Sequence, residues 1–195
     1  MKPIIFDLDD FSNENNVLPD LIYLRTKLPG LKVNLFTIPK KTSFSLLRRA
    51  AKHDWVHLIP HGFKHNDNYE CAQMTRHVSK VKLNKINSQF FKKGFKAPGW
   101  QISKGMMQAL KDKGWWLAVQ WKDGRMFGHP DGPFQPAVIP GLRYYSLNEQ
   151  PGYTVIHGHC QQVCGNGLKH LWEKLINLPR NSKFLHIEEV INGKD

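Results

Sequence analysis

Four short segments hold most of the residues that could do chemistry. They are Asp7-Leu8-Asp9-Asp10, His61-Gly-Phe-Lys-His65, Lys96-Ala-Pro-Gly-Trp100 and His157-Gly-His159. Three aspartates within four residues repel one another once buried, so a divalent cation or a nearby Lys or Arg must compensate them. The two histidines spaced H-x-x-x-H add a second signal. Two imidazoles and one carboxylate form an open donor set for catalytic zinc, which leaves a position for water. His53, His57, His61 and His65 also recur every four residues, as on one helix face. Pro60 and Gly62 count against a helix there, and Trp55 to Pro60 suits a strand. His53 and His57 therefore read as structural, while His61 and His65 follow the strand, where one turn of backbone brings both rings to one point.

The elements that must carry these residues alternate in type. Strands are expected at Pro3 to Leu8, Lys32 to Ile38, Trp55 to Pro60, Gly94 to Ala97, Trp115 to Trp121, Leu142 to Leu147, Tyr153 to His157 and Phe184 to Ile191. Helices are expected at Pro19 to Leu28, Ser43 to Lys52, Ala72 to Asn87, Ser103 to Lys113 and Leu168 to Leu178, with a long Gly- and Pro-rich loop from Lys122 to Gly141. Strands alternating with helices imply βαβ units and parallel pairing. Each of the four segments falls at the carboxyl end of a strand, the end at which parallel α/β folds build their sites.

Composition narrows the class. The chain has 195 residues, 41% of them hydrophobic, which suits one domain spanning 1–195 and excludes intrinsic disorder. A run of roughly 7–15 apolar residues, as a secretory signal needs, is not seen at the start, and no run nears the ~20 of a membrane helix. A soluble, cytoplasmic chain is the expectation. Cys71, Cys160 and Cys164 are too few for a disulfide framework and read as free thiols. The 28 Lys and Arg against 16 Asp and Glu give a net charge of +12. Such an excess favours anionic surfaces or polymers and makes the acidic cluster at the end of strand one more informative. The sequence does not fix the oligomeric state.

With these residues in hand, the chain resembles the polysaccharide deacetylases of the NodB-homology type, carbohydrate esterase family 4. The Asp9-Asp10 pair is similar to the family's first motif, His61 and His65 to its second, and Thr154-Val-Ile-His157 to its fifth. Lys96-Ala-Pro98-Gly99-Trp100 is similar to its third, with Lys in place of Arg; Lys lacks the planar bidentate geometry of Arg. The fourth, normally an Asp and a Trp after a strand, is faint in Val119-Gln-Trp121-Lys-Asp123, and Phe11 replaces the Gly after the Asp pair. The resemblance implies an α/β fold, a distorted (β/α) barrel of about seven βα units, across residues 3–190. It implies a metal-dependent hydrolase acting on an N-acetylated sugar or polysaccharide. Asp10, His61 and His65 would hold a divalent metal, with Zn²⁺ expected, Asp9 would be the general base and His157 the general acid. Lys96 would keep Asp9 ionised, Trp100 and Trp121 would stack on a sugar, and His159 competes with His157 as acid or contacts substrate.

Three alternatives stand beside it. Ile4-Ile-Phe-Asp7-Leu-Asp9 also resembles the opening of haloacid-dehalogenase-type phosphatases, with Asp7 as nucleophile, but the late acidic pair of that family is missing. The basic runs Lys80 to Lys85 and Lys92 to Lys96 admit a nucleic-acid-binding module, although no motif of that class is present. A catalytically inactive relative is the third.

Overall fold

The computed structural model describes residues 2–66, 69–122, 125–127, 137–148, 151–161 and 167–193. They fall into two compact units. The first comprises Met1–Thr37, Lys41–Leu58 and Gln150–Asp195, and the second Ile38–Lys40 and Ile59–Glu149.

In the first unit a parallel sheet is organised around β1 (Ile4–Phe11), every residue of which is buried. It pairs in parallel with β2 (Val33–Thr37), β8 (Thr154–His159) and β9 (Phe184–Leu185). β3 (Val56–Pro60) extends the sheet beyond β2, and the chain passes into the second unit within it. The helices form where the sequence supplies an apolar stripe and a stop. α1 (Leu18–Lys27) buries Leu18, Leu21 and Leu24, which recur at helical spacing, and Pro19 occupies its first turn, where the lost amide costs nothing. α2 (Phe44–Ala51) starts at Ser43, whose hydroxyl accepts the Leu46 N–H, satisfying one of the orphan donors. α5 (Leu168–Ile176) follows β8.

In the second unit β4 (Gly94–Lys96), β5 (Trp116–Lys122) and β7 (Tyr144–Ser146) pair in parallel, with β5 between the other two. α3 (Arg76–Asn84) and α4 (Lys104–Asp112) are capped by Thr75 and Ser103. Gly94 is required by a close approach: a Cβ there would lie 2.2 Å from the Trp116 ring.

Most expected elements appear within a few residues, and three expectations need correction. The first strand runs on through the aspartates to Phe11, with an irregular register between Leu8 and Phe11. The segment 122–141 is not wholly loop, since β6 (Arg125–Phe127) pairs antiparallel with β5, Trp121 opposite Met126. The Asp-Gly dipeptide at 123–124 is a hairpin signal in the sequence, although those two residues lie outside the described ones. The segment Phe184 to Ile191 is not one strand. Only Phe184 and Leu185 pair with β1, and α6 (Ile187–Ile191) follows.

The helix wins because its start is held on three sides. The Glu189 carboxylate accepts the His186 N–H at 2.7 Å, the capping-box contact, and Lys32 Nζ donates to both Glu189 oxygens at 2.7 and 2.8 Å. Asn34, buried in β2, accepts the Ile187 N–H at 3.2 Å and donates to Phe6 O at 3.1 Å. Burial alone would raise the Glu189 pKa, but Lys32 and the His186 N–H hold it below the usual carboxylate value. A carboxylate depressed on folding stabilises above its unfolded pKa and loses that stability as pH falls through its folded value. Glu189→Gln should therefore destabilise by about 1 kcal/mol at neutral pH. Urea titrations of both proteins should show that difference shrinking towards zero below about pH 4.

Candidate active site

The first unit builds its polar cluster from two paired strands. β1 and β8 run in parallel with Asp7 opposite His157 and Asp9 opposite His159. Two residues per repeat put both pairs on equivalent faces of the sheet. Asp7 is fully buried, and its Oδ1 accepts a short hydrogen bond from His157 Nδ1. The other ring nitrogen, Nε2, stands 3.8 Å from Asp9 Oδ2. His159 Nδ1 donates to Asp10 Oδ2 at 3.1 Å. Ligand atoms of Asp9, His157 and His159 lie within 4.8 Å of one another. Three buried carboxylates are thus set against two imidazoles from the neighbouring strand, and this offsets part of their burial cost. Cys160 closes the cluster from below, its N–H donating to Asp9 O at 2.8 Å. Burial, and then the charges of Asp10 and Asp9, push its thiol pKa well up, so the sulfur stays protonated. Cys71 is likewise a buried thiol outside any disulfide, and Cys164 lies outside the described residues.

The second unit presents its own cluster. His61 forms a parallel bridge to Lys96. The Lys96 carbonyl accepts twice, from Gly62 N–H at 3.0 Å and from His61 Nδ1 at 3.2 Å. A carbonyl can only accept, so in this contact His61 carries a proton on Nδ1. The His61 and His65 rings meet edge to face with centroids 4.7 Å apart. Their loop is folded around Glu70, whose carboxylate accepts the N–H groups of Phe63 at 2.9 Å, Lys64 at 2.9 Å and His65 at 3.0 Å. Gly62 has a φ of +60°, and a Cβ there would come within 2.6 Å of Pro98 Cγ and of Glu70 Oε2. Both conditions demand glycine. Lys96 is buried, with Nζ 3.9 Å from the centroid of the Trp100 ring. Trp121 sits elsewhere in this unit: its backbone exchanges two hydrogen bonds with Asn148, and its ring packs edge-on against Tyr144. Asp123, the other half of the faint fourth motif, lies outside the described residues.

Backbone strain marks the same segments. Among the described residues three non-glycine positions have positive φ: Asp10 (+67°), His65 (+49°) and Trp100 (+61°). Each costs on the order of 1–2 kcal/mol, and such strain concentrates at functional sites.

Two residues escape the sequence reading of the site. Asp7 looks like one more member of an acidic run; its facing of His157 becomes visible only through the β1–β8 register. Glu70 has no motif, and its only signal is a carboxylate shortly after H-x-x-x-H in a chain poor in acids. Asp7 also fails as a phosphatase nucleophile, because its carboxylate is buried and engaged by His157.

No protein-family sequence model matches the chain, and no curated protein sequence does. Solved structures do match it. The chain superposes on the Xyl-CE4 domain of a multidomain xylanase from the hindgut metagenome of Trinervitermes trinervoides with a TM-score of 0.61 at 16% identity, over 99% of this chain and 91% of that one. A family 4 acetyl xylan esterase from Clostridium thermocellum, in complex with a cobalt ion, gives 0.59 at 15% identity, over 98% and 91%. A T48 deacetylase with substrate gives 0.58 at 12% identity, over 100% and 92%. The NodB-like α/β fold implied by the motifs is therefore the fold of this chain. Among its described residues no helix is long and apolar enough to cross a membrane.

The Glu70 carboxylate should be what holds the His61–His65 loop. In Glu70→Ala the amides of Phe63, Lys64 and His65 lose their acceptor and should exchange hydrogen at least tenfold faster, a change of about 1.4 kcal/mol in opening. Native-state exchange followed by NMR reads this directly.

Proposed function

We propose that this chain is a metal-dependent hydrolase that removes acetyl groups from an N-acetylated saccharide, acting as a single catalytic domain of the carbohydrate esterase family 4 kind. The observation that carries the reading is the register of β1 and β8. It brings Asp9 of the first motif to 3.8 Å from the His157 imidazole of the fifth in a chain with the fold of family 4 esterases and deacetylases.

Asp10, His61 and His65 are the proposed metal ligands. Their donor set suits a divalent ion that keeps open positions, with zinc expected, and the cobalt ion in the acetyl xylan esterase supports a site of this class. The groups behind these ligands support the reading: His61 Nδ1 donates to the Lys96 carbonyl, and Asp10 accepts from His159. A bound ion would supply Lewis-acid polarisation of the acyl carbonyl and lower the pKa of water. The remaining work falls to side chains. Asp9 is the proposed base that takes a proton from the attacking water. His157 is the proposed acid that gives a proton from Nε2 to the departing amine, which cannot leave as an amide anion. Lys96 and Trp100 form a cationic and aromatic wall, and Trp100 and Trp121 are the proposed stacking platforms for sugar rings. His159 is assigned to orienting Asp10 rather than to proton transfer.

Acetate release from N-acetylchitooligosaccharides, with acetylated xylan and 4-nitrophenyl acetate alongside, tests this. Activity should vanish with chelator, return with Zn²⁺ or Co²⁺, and be lost in His61→Ala. His157→Gln should cost about 10²–10⁴-fold on the amide. It should cost far less on 4-nitrophenyl acetate, whose leaving group needs no proton. Acetate release indifferent to both chelator and His61→Ala would sink the reading.

A further inference from the structure

We infer that Asp7 is the positioning residue for His157: it fixes the tautomer and the aim of the ring, and so decides which of the two histidines on β8 serves as acid. This rests on the function proposed above and adds a residue that none of the five motifs contains.

Three observations converge on it. Asp7 and His157 are register partners on adjacent parallel strands, so their Cα positions are fixed by the sheet and not by a loop. Asp7 is fully buried in the strand interior, whereas His157 keeps 23% of its side chain exposed, so the pair has one end in the core and one at the surface. The contact is made through Nδ1, which leaves Nε2 as the exposed-side nitrogen, 3.8 Å from Asp9 Oδ2. A carboxylate can only accept a hydrogen bond from Nδ1–H, so the neutral ring held this way is the Nδ1–H form, with Nε2 carrying the lone pair. In the cationic ring both nitrogens are protonated and Asp7 balances the charge. Proton donation therefore breaks the Nε2–H bond and forms an N–H bond on the leaving amine. It leaves the neutral Nδ1–H ring still held by Asp7, whose own charge does not change. His159 is differently placed: its Nδ1 is committed to Asp10, and opposite it in the sheet stands Asp9. The buried carboxylate it meets is thus Asp10, the proposed metal ligand, whereas His157 is held by Asp7, which the proposed site does not otherwise use.

The same pairing accounts for an aspartate in the middle of a fully buried strand. Breaking a buried ion pair by removing one partner is costly, so the two residues must be present together.

The test combines NMR with kinetics on the full chain. Long-range ¹H–¹⁵N spectra, with the His157 ring assigned by its loss in His157→Gln, should show wild-type neutral His157 as the Nδ1–H tautomer with a downfield-shifted proton. Asp7→Asn should lose that proton and populate the Nε2–H form. Its kcat on N-acetylchitooligosaccharide should fall about 10²-fold or more with KM little changed, and the loss should shrink on 4-nitrophenyl acetate. A purely structural aspartate would lower the melting temperature without moving the tautomer or the leaving-group dependence, and that result overturns the inference. So does a wild-type ring found as Nε2–H, a measurement that does not depend on any variant folding. If His157→Gln itself keeps full activity on the amide, the general-acid reading falls and takes Asp7 with it. If His157→Gln is inactive and Asp7→Asn is fully active, only Asp7 is lost.

Discussion

Parallel pairing of β1 with β8 is the constraint on which the first unit depends. The two strands lie about 150 residues apart in sequence, and their register sets Asp7 against His157 and Asp9 against His159. A slip of one residue would turn the acidic faces away from the imidazoles and bury three carboxylates without counterparts. The apolar members of β1, Ile4, Ile5, Phe6, Leu8 and Phe11, are all fully or almost fully buried, and they lock the register from the core side. Hydrophobic burial thus supplies the free energy, and the polar pairs select the one alignment that can use it. Because β1 has neighbours on both sides, β2 and β8 along most of its length, the cluster sits on the most constrained strand of the sheet.

The second unit solves a similar problem with backbone instead of side chains. His61, Gly62 and Lys96 are tied through one carbonyl, and the chain after them is turned by a left-handed glycine around the Glu70 carboxylate. Three successive N–H groups aimed at one carboxylate form an anion-binding concavity filled by the protein's own acid. The positive φ values of His65 and Trp100 fall in the two segments that close on Gly62, where Pro98 and Glu70 both crowd the position a Cβ would take.

Much of this was legible in the sequence, and the failures have physical causes. The strand ends carrying Asp, His and Lys were legible because the apolar runs leading into them are, and parallel α/β folds place such ends at one end of the sheet. The helices α1, α2 and α4 announced themselves through Pro, Ser and apolar spacing. What stayed hidden depends on long-range pairing. The run Phe184 to Ile191 is rich in β-branched residues and reads as strand. It becomes helix at Ile187 because Lys32 and Asn34, some 150 residues away, satisfy its first turn. Local propensity is a weak prior against such tertiary contacts. Asp7 was hidden in the same way. Nothing local separates it from Asp9 and Asp10, and only the opposing residue on β8 tells the three apart.

Residue 96 departs from the arginine of the motif it resembles. Lysine cannot reproduce the planar two-point geometry of arginine. Here, however, the residue works through two separate parts. Its carbonyl orients His61 and seats Gly62, a task indifferent to the side chain. Its ammonium lies buried 3.9 Å from the Trp100 centroid, where an aromatic face suits a compact point charge. Trp100 also holds a left-handed φ of +61°, so the lysine stands over a ring whose own backbone is strained. The carbonyl half of the residue ties down the histidine loop whatever side chain stands at 96, and the side-chain half adds a buried cation over an aromatic face.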